Sequence, residues 1–182
     1  MTPQLLAGVN AVEDLVKTAL ADQMLAALAS VGDHIELCPD DAWDRLVAKY
    51  TFNQTVFHTL FWSDVYLGRG YDAVREQAFH RENAAIFRDY DEFKKQPPSL
   101  AYTRGDMRLY VAHCREKAHQ VIGAETAETL RGPSGFDWLD ISRLEAHIYN
   151  TRHIQHHASQ LVLRRRLDAG DDTPWHKSGW SE

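Results

Sequence analysis

The chain contains 182 residues, of which 44% are hydrophobic and 25% are charged, and its net charge is −6. This length and apolar content suffice for a substantial core, and we predict a single domain over residues 1–182. Acidic and basic residues are mixed along the whole chain without a long basic block, so we expect no nucleic-acid partner.

The N-terminus and the cysteines favour a cytoplasmic protein. Residues Met1–Gly8 lack a basic segment followed by a long apolar run, and no window reaches about 18 uninterrupted apolar residues, so neither secretion nor a membrane partner is predicted. Cys38 and Cys114 are the only cysteines and form no CxxC pair, which argues against a disulfide framework and against thiolate metal binding.

The first predicted helix runs from about Asn10 to Ser30, with Gly32 as its stop. Asp40 is then expected to cap a short turn through Trp43 and Leu46. The apolar residues at helical spacing in the first helix are Val12, Leu15, Val16, Ala19, Leu20, Met24 and Leu28.

The second predicted helix begins at the capping-box pattern of Thr51 and Gln54 and ends near Leu67. The following segment, 71–100, has mixed composition. It contains a polar helical fragment at about 82–93 and a break at Pro97-Pro98. We interpret this segment as a long crossover over the surface.

Two further capping boxes, at 103–106 and 142–145, predict a third helix that reaches about Arg131 and a fourth that reaches about Asp168. The turn-forming residues 132–135 separate them. Four helices and one long connection, without alternating strand patterns, predict an all-α four-helix bundle with a crossover between helices 2 and 3.

The C-terminal tail, 170–182, carries Trp175 and Trp180. Two tryptophans would be unusual in a fully solvated segment. We therefore expect the tail to dock on the bundle or on a neighbouring subunit. In the last predicted helix, Arg164–Arg166 are candidates for an anion site, but we favour a solvated helix terminus, where cations complement the negative end of the helix dipole.

Histidine is the most informative residue type, with ten in the chain. His153 and His157 lie four residues apart, so their imidazoles share one face of the fourth helix, one turn apart. His156 is turned away and is a weaker candidate. A histidine pair alone is more often a surface or hydrogen-bonded pair than a metal site, and that alternative stays open.

A third ligand is expected from His58, which lies on the apolar face of the second helix with Phe61, Trp62 and Val65. An unpaired polar ring would be costly to bury there. Three neutral imidazoles suit zinc or nickel, with iron or manganese as alternatives, and leave at least one coordination position open. We interpret the remaining histidines of the last two helices, His113, His119 and His147, as structural.

The run YNTRHIQHHASQL at 149–161 resembles the signature helix of the DinB-like superfamily, in which a histidine pair four residues apart is followed by a small residue and glutamine. This resemblance implies a bundle in up-down-down-up order, often dimeric, with a metal triad at His58, His153 and His157. Some members of that superfamily are thiol-dependent transferases or isomerases, and many have no established activity.

The resemblance implies a metal-dependent enzyme that uses a low-molecular-weight thiol and acts on a small-molecule substrate, with a homodimer as the expected assembly. One alternative is a hydrolase in which the metal activates water. Another is a non-catalytic, stress-related metal-binding protein. Asn150 and Gln160, one turn from the pair, are expected either to orient an imidazole or to make ordinary interhelical contacts. No catalytic residue is identified.

Overall fold

The computed structural model describes residues 3–87, 90–94, 99–170 and 173–180. Within these ranges every regular element is helical, and the only β-pairing consists of two isolated bridges, which confirms the all-α class. The elements are α1 (Pro3–Leu37), α2 (Asp40–Trp43), α3 (Phe52–Leu67), α4 (Asp72–Arg75), α5 (Ala78–Glu82), a 3₁₀ segment (Tyr90–Lys94), α6 (Arg104–Ala124), α7 (Ala127–Arg131) and α8 (Arg143–Ala169).

Three of the long helices begin at the predicted capping boxes. At each start the N-cap hydroxyl accepts a hydrogen bond from the backbone N–H three residues later, and that later side chain accepts one from the N-cap backbone. Each box satisfies two of the N–H groups that a helix start leaves unpaired. The N-cap residues are Thr51, Thr103 and Ser142.

The predicted bounds of the first helix are wrong, because it begins at Pro3 rather than near Asn10 and continues to Leu37 rather than stopping at Gly32. A Cβ at Gly32 would lie 3.0 Å from the Cη2 atom of Trp180. The glycine therefore provides room for the indole of the tail, and it is not a terminator. This contact lies between distant parts of the chain, which explains why local sequence rules misread it.

The prediction of one continuous third helix is also wrong, because the segment is divided at Glu125 into α6 and α7. Glu125 has an extended backbone, with φ −66° and ψ 148°. Its carboxylate accepts hydrogen bonds from Arg143 and His147 of α8. In the connection, the predicted fragment at 82–93 is likewise wrong, since α5 ends at Glu82 and a separate 3₁₀ segment follows. The predicted break at Pro97-Pro98 lies outside the described residues.

The four long helices pack as neighbouring pairs. Helix α1 contacts α6 and α8, and α3 contacts the same two helices. Fully buried residues such as Leu28, Leu60, Tyr110 and Ile154 fill the space between them. A fully buried side chain of this size stabilises the fold by about 1.5–3 kcal/mol. This packing fixes α3 beside α8, the two helices that carry the predicted ligands.

Residues Ala11–Leu37 of α1 are long and apolar enough to cross a membrane, and 44% of the most apolar window is buried. Met24, Leu28, Val31 and Ile35 are completely buried against the rest of the chain. In the described fold this part of α1 therefore serves as a core helix, for which a high apolar content is also expected.

The tail returns to α1. The backbone N–H of Gly179 donates to the Asp22 carbonyl oxygen at 2.9 Å, and His176 Nε2 lies 2.6 Å from Asp33 Oδ2. Trp180 packs against the core, whereas Trp175 is 78% exposed. The two tryptophans thus have different surroundings.

Candidate metal centre

His58 of α3 meets His153 and His157 of α8. One nitrogen of each ring lies within 4.8 Å of the others. The ring centroids are 5.7 Å apart for His58 and His153, 4.6 Å for His58 and His157, and 4.7 Å for the pair on α8. Helix packing thus brings together residues separated by almost 100 positions in the sequence. The arrangement has the donor types and the proximity that one metal ion requires.

His153 supplies the most direct test of whether a metal fits here. Both of its ring nitrogens are buried, and neither finds a hydrogen-bond partner among the residues that the structure describes. Leaving a buried polar atom unsatisfied costs about 1–3 kcal/mol. Coordination through one nitrogen would remove part of that cost. His34 also has two buried nitrogens without partners among the described residues, so the convergence with His58 and His157 is what makes His153 a candidate ligand.

The imidazoles on α8 are held in the neutral form. Burial lowers the pKa of His153 to about 2, and the neighbouring His157 and His58 rings add to the shift. Burial and the proximity of His58 lower the pKa of His157 to about 4. A neutral imidazole keeps the lone pair that coordinates a metal. Both side chains are therefore ready to bind an ion at neutral pH.

Glu92 orients His58 and was not predicted from the sequence. Its Oε2 atom lies 2.8 Å from His58 Nδ1 and also accepts a hydrogen bond of 2.9 Å from the indole N–H of Trp62. Because a carboxylate only accepts hydrogen bonds, Nδ1 donates the proton, and Nε2 is the nitrogen of this ring that could bind a metal. Glu92 is 3% exposed. Carboxylates commonly orient metal-binding histidines in this way.

Gln160 and Asn150, which the sequence placed near the ligand face, have different surroundings. Gln160 Oε1 lies 2.9 Å from His157 Nδ1, and its Nε2 lies 3.0 Å from a ring nitrogen of the exposed His156. Gln160 therefore fixes the rotation of His157. Asn150 donates instead to the Ser63 carbonyl oxygen at 3.0 Å, a contact that joins α8 to α3.

A second group of possible ligands, formed by Asp64, His80 and His113, also lies within 4.8 Å. Here, however, the Lys117 ammonium contacts the Asp64 carboxylate directly. Burial would raise the pKa of Asp64, but hydrogen bonds from His113 and His80 and the Lys117 charge hold it well below its usual value. A dication would be repelled by that ammonium. We interpret this group as a buried ion-pair network, which gives His113 a structural role.

A cavity of about 490 Å³ opens beside two of the three histidines, and its wall includes His58, His157 and Gln160. A second cavity of about 490 Å³ borders His153 and His156. Volumes of this size are typical of small-molecule sites. A ligand in the first cavity would therefore lie next to the imidazoles.

Comparisons of the chain with protein-family models, with curated proteins and with solved structures gave no match. The relation to the DinB-like superfamily accordingly stays a prediction that depends on the motif at 149–161.

Replacing Glu92 with glutamine should weaken metal binding by about 10- to 100-fold, the usual cost of losing a carboxylate that orients a metal-binding histidine. Glutamine keeps the shape but removes the charge that polarises His58. Competition with a chromogenic chelator measures the change in affinity. Glu76→Gln, at an exposed position of the same connection, is the matched control. Equal affinities in the two variants would show that Glu92 does not act on the metal ligands.

Proposed function

We propose that this protein is a divalent-metal-dependent enzyme in which His58, His153 and His157 hold the ion. Zinc or nickel is the expected metal, with iron or manganese as alternatives. The observation that carries this proposal is the convergence of three imidazoles around His153, whose buried nitrogens lack partners among the described residues. Three neutral imidazoles are a donor set of catalytic sites that keep one position open.

A small thiol from solution is the proposed nucleophile. When bound, the ion would lower the pKa of a coordinated thiol or water and so provide a nucleophile near neutral pH. The protein's own cysteines are poor candidates for that thiol. Burial raises the pKa of Cys38 to about 11, and burial also raises the pKa of the completely buried Cys114 well above its usual value. Transfer chemistry at this site therefore requires an added low-molecular-weight thiol.

The roles of the chain's own residues follow from their contacts. Glu92 and Gln160 hold the rings of His58 and His157 so that the other nitrogen of each ring can bind. His153 stays neutral because it is buried. The cavity wall next to His58 and His157 leaves room for an electrophile beside the open position. That room favours a catalytic site over a closed, stabilising one.

The helix order, the assembly and the localisation are part of the same proposal. Pairwise packing of α1 and α3 against α6 and α8 supports a four-helix bundle. The up-down-down-up order is proposed from the resemblance to the DinB-like superfamily. We further propose a cytoplasmic homodimer that acts on a small molecule, without a nucleic-acid or membrane partner. Sedimentation at two protein concentrations tests the dimer.

The decisive experiment combines elemental analysis with an activity screen. The purified protein is analysed before and after chelation, then reloaded with each metal and assayed with several small thiols and a panel of electrophiles. One bound ion and chelator-sensitive conjugation support the thiol transferase. One ion with turnover that needs no thiol indicates a metal-dependent hydrolase, and one ion without turnover a binding protein. Absence of stoichiometric metal after reloading contradicts the proposal.

A further inference from the structure

The cavity beside His58 and His157 has an uneven charge distribution. Its wall includes Lys49 and Arg164, while no aspartate or glutamate is among the described residues that line it. The remaining wall is largely apolar, with Val47, Tyr50 and Leu163 as its main contributors. The two cations of the wall attract an anion. The Glu92 carboxylate behind His58 and the Asp168 carboxylate near Arg164 lie outside the wall and offset part of that positive charge.

Arg164 is only partly neutralised by its surroundings. Its guanidinium donates to the carbonyl oxygens of Tyr50 and Arg45 at 3.3 and 2.9 Å and to the Thr55 hydroxyl at 3.3 Å. All three acceptors are neutral. The nearby Asp168 carboxylate contacts Arg45 instead. Among the described residues no carboxylate bonds to Arg164, although the nearby Asp168 charge acts on it. A bound anion would compensate the remaining charge of this half-buried guanidinium.

Lys49 reaches the cavity from a constrained turn. The backbone N–H groups of Val47 and Tyr50 each donate to the carbonyl oxygen of the other residue, at 3.1 and 3.3 Å. Between them Ala48 has a φ of 57°, in the left-handed region that alanine rarely adopts. Such strain persists where the surrounding structure enforces it, often at ligand sites. The turn places the exposed Lys49 in the cavity wall, to which no acid among the described residues contributes.

We infer that this cavity binds an apolar small molecule that carries a carboxylate, with the carboxylate near Lys49 and Arg164 and the apolar body along Val47, Tyr50 and Leu163. One negative charge fits better than a phosphate dianion because most guanidinium N–H groups of Arg164 already have acceptors. Binding of this ligand does not depend on the proposed function. Only its role as a substrate does, and in that role the end of the molecule opposite the carboxylate would lie at His58 and His157.

Calorimetric titration tests the inference with three probes of equal length, 4-phenylbutanoate, 4-phenylbutan-1-ol and 4-phenylbutylamine, on the metal-loaded and the chelated protein. We expect the carboxylate to bind at least about 10-fold more tightly than the alcohol or the amine in both forms. 4-Mercaptobutanoate, tested alongside, shows whether a thiol that bears the carboxylate binds in the same place as the aromatic acid.

Two variants make the test specific. Lys49→Met should weaken carboxylate binding about 5- to 10-fold and leave alcohol binding unchanged. Leu163→Asp should weaken the binding of both 4-phenylbutanoate and 4-mercaptobutanoate. Lys177→Met, an exposed charge change outside the cavity, is the control. Carboxylate binding that disappears on chelation and is unchanged in Lys49→Met would overturn the inference, because the carboxylate would then bind the metal rather than the cavity wall. The proposed metal site would be unaffected by that result. Retained binding in a protein that never holds metal would instead contradict only the proposed function.

Discussion

Substituting leucine for His153 is expected to abolish stoichiometric metal binding and, at the same time, to stabilise the metal-free protein. Metal affinity should fall by more than about 100-fold, which exceeds the usual loss on removing a group that merely orients a ligand. The free energy of unfolding of the chelated protein should rise by about 1–2 kcal/mol, because leucine removes two buried nitrogens without partners among the described residues. The loss of metal distinguishes a ligand from a buried structural histidine such as His34, whose nitrogens also lack partners among the described residues.

Elemental analysis after reloading and urea denaturation after chelation measure the two effects. His58→Ala and His157→Ala should also lose metal, since each removes one of the three converging nitrogens. His156→Leu is the matched control, because His156 is exposed and, among the described residues, its side chain is hydrogen-bonded only to Gln160. Equal metal content in the His153 and His156 variants would refute the ligand assignment.

Local signals in the sequence predicted the starts of α3, α6 and α8 and identified the three histidines as candidates. A capping box lies within four residues, and a histidine pair on one helix face depends only on helical geometry. Both patterns are therefore readable without tertiary information. The position of His58 required one further argument, the cost of burying its ring on an apolar face.

The features that were missed depend on contacts between distant residues. Glu92 lies 34 positions from His58, in a connection without periodicity, so no spacing rule links the two. Gly32 was misread because its partner Trp180 is in the tail. The break at Glu125 arises because its carboxylate bonds to residues of α8. In each case tertiary contacts override a local preference.

Substitution of Arg143 is expected to have a large effect on the free energy of unfolding, because this side chain joins the start of α8 to the end of α3 through hydrogen bonds. It is 1% exposed and donates to the carbonyl oxygens of Tyr66, Leu67 and Gly68, each at 2.9 Å, and to Glu125 Oε1 at 2.8 Å. The last carbonyl groups of a helix accept no hydrogen bond from within that helix, so Arg143 satisfies them. Its positive charge also complements the negative end of the helix dipole.

Replacing Arg143 with methionine should lower the free energy of unfolding by about 3–5 kcal/mol, since it leaves the buried Glu125 carboxylate without its main partner. Urea denaturation of the metal-free protein measures the loss, with the exposed Arg131→Met as control. Arg143→Lys should recover little, because an ammonium cannot reach several carbonyls and the carboxylate together.

The pH dependence of unfolding separates this interpretation from a general loss of packing. Burial would raise the pKa of Glu125, but hydrogen bonds from Thr129, Arg143 and His147 lower it from 4.5 to about 2. A carboxylate whose pKa is lowered on folding stabilises the protein above pH 4.5, and that contribution is lost as the pH falls toward 2. In Arg143→Met the slope of stability over this interval should become shallower. An unchanged slope would mean that the ion pair contributes little and that Asn150 and the apolar contacts hold α3 and α8 in register.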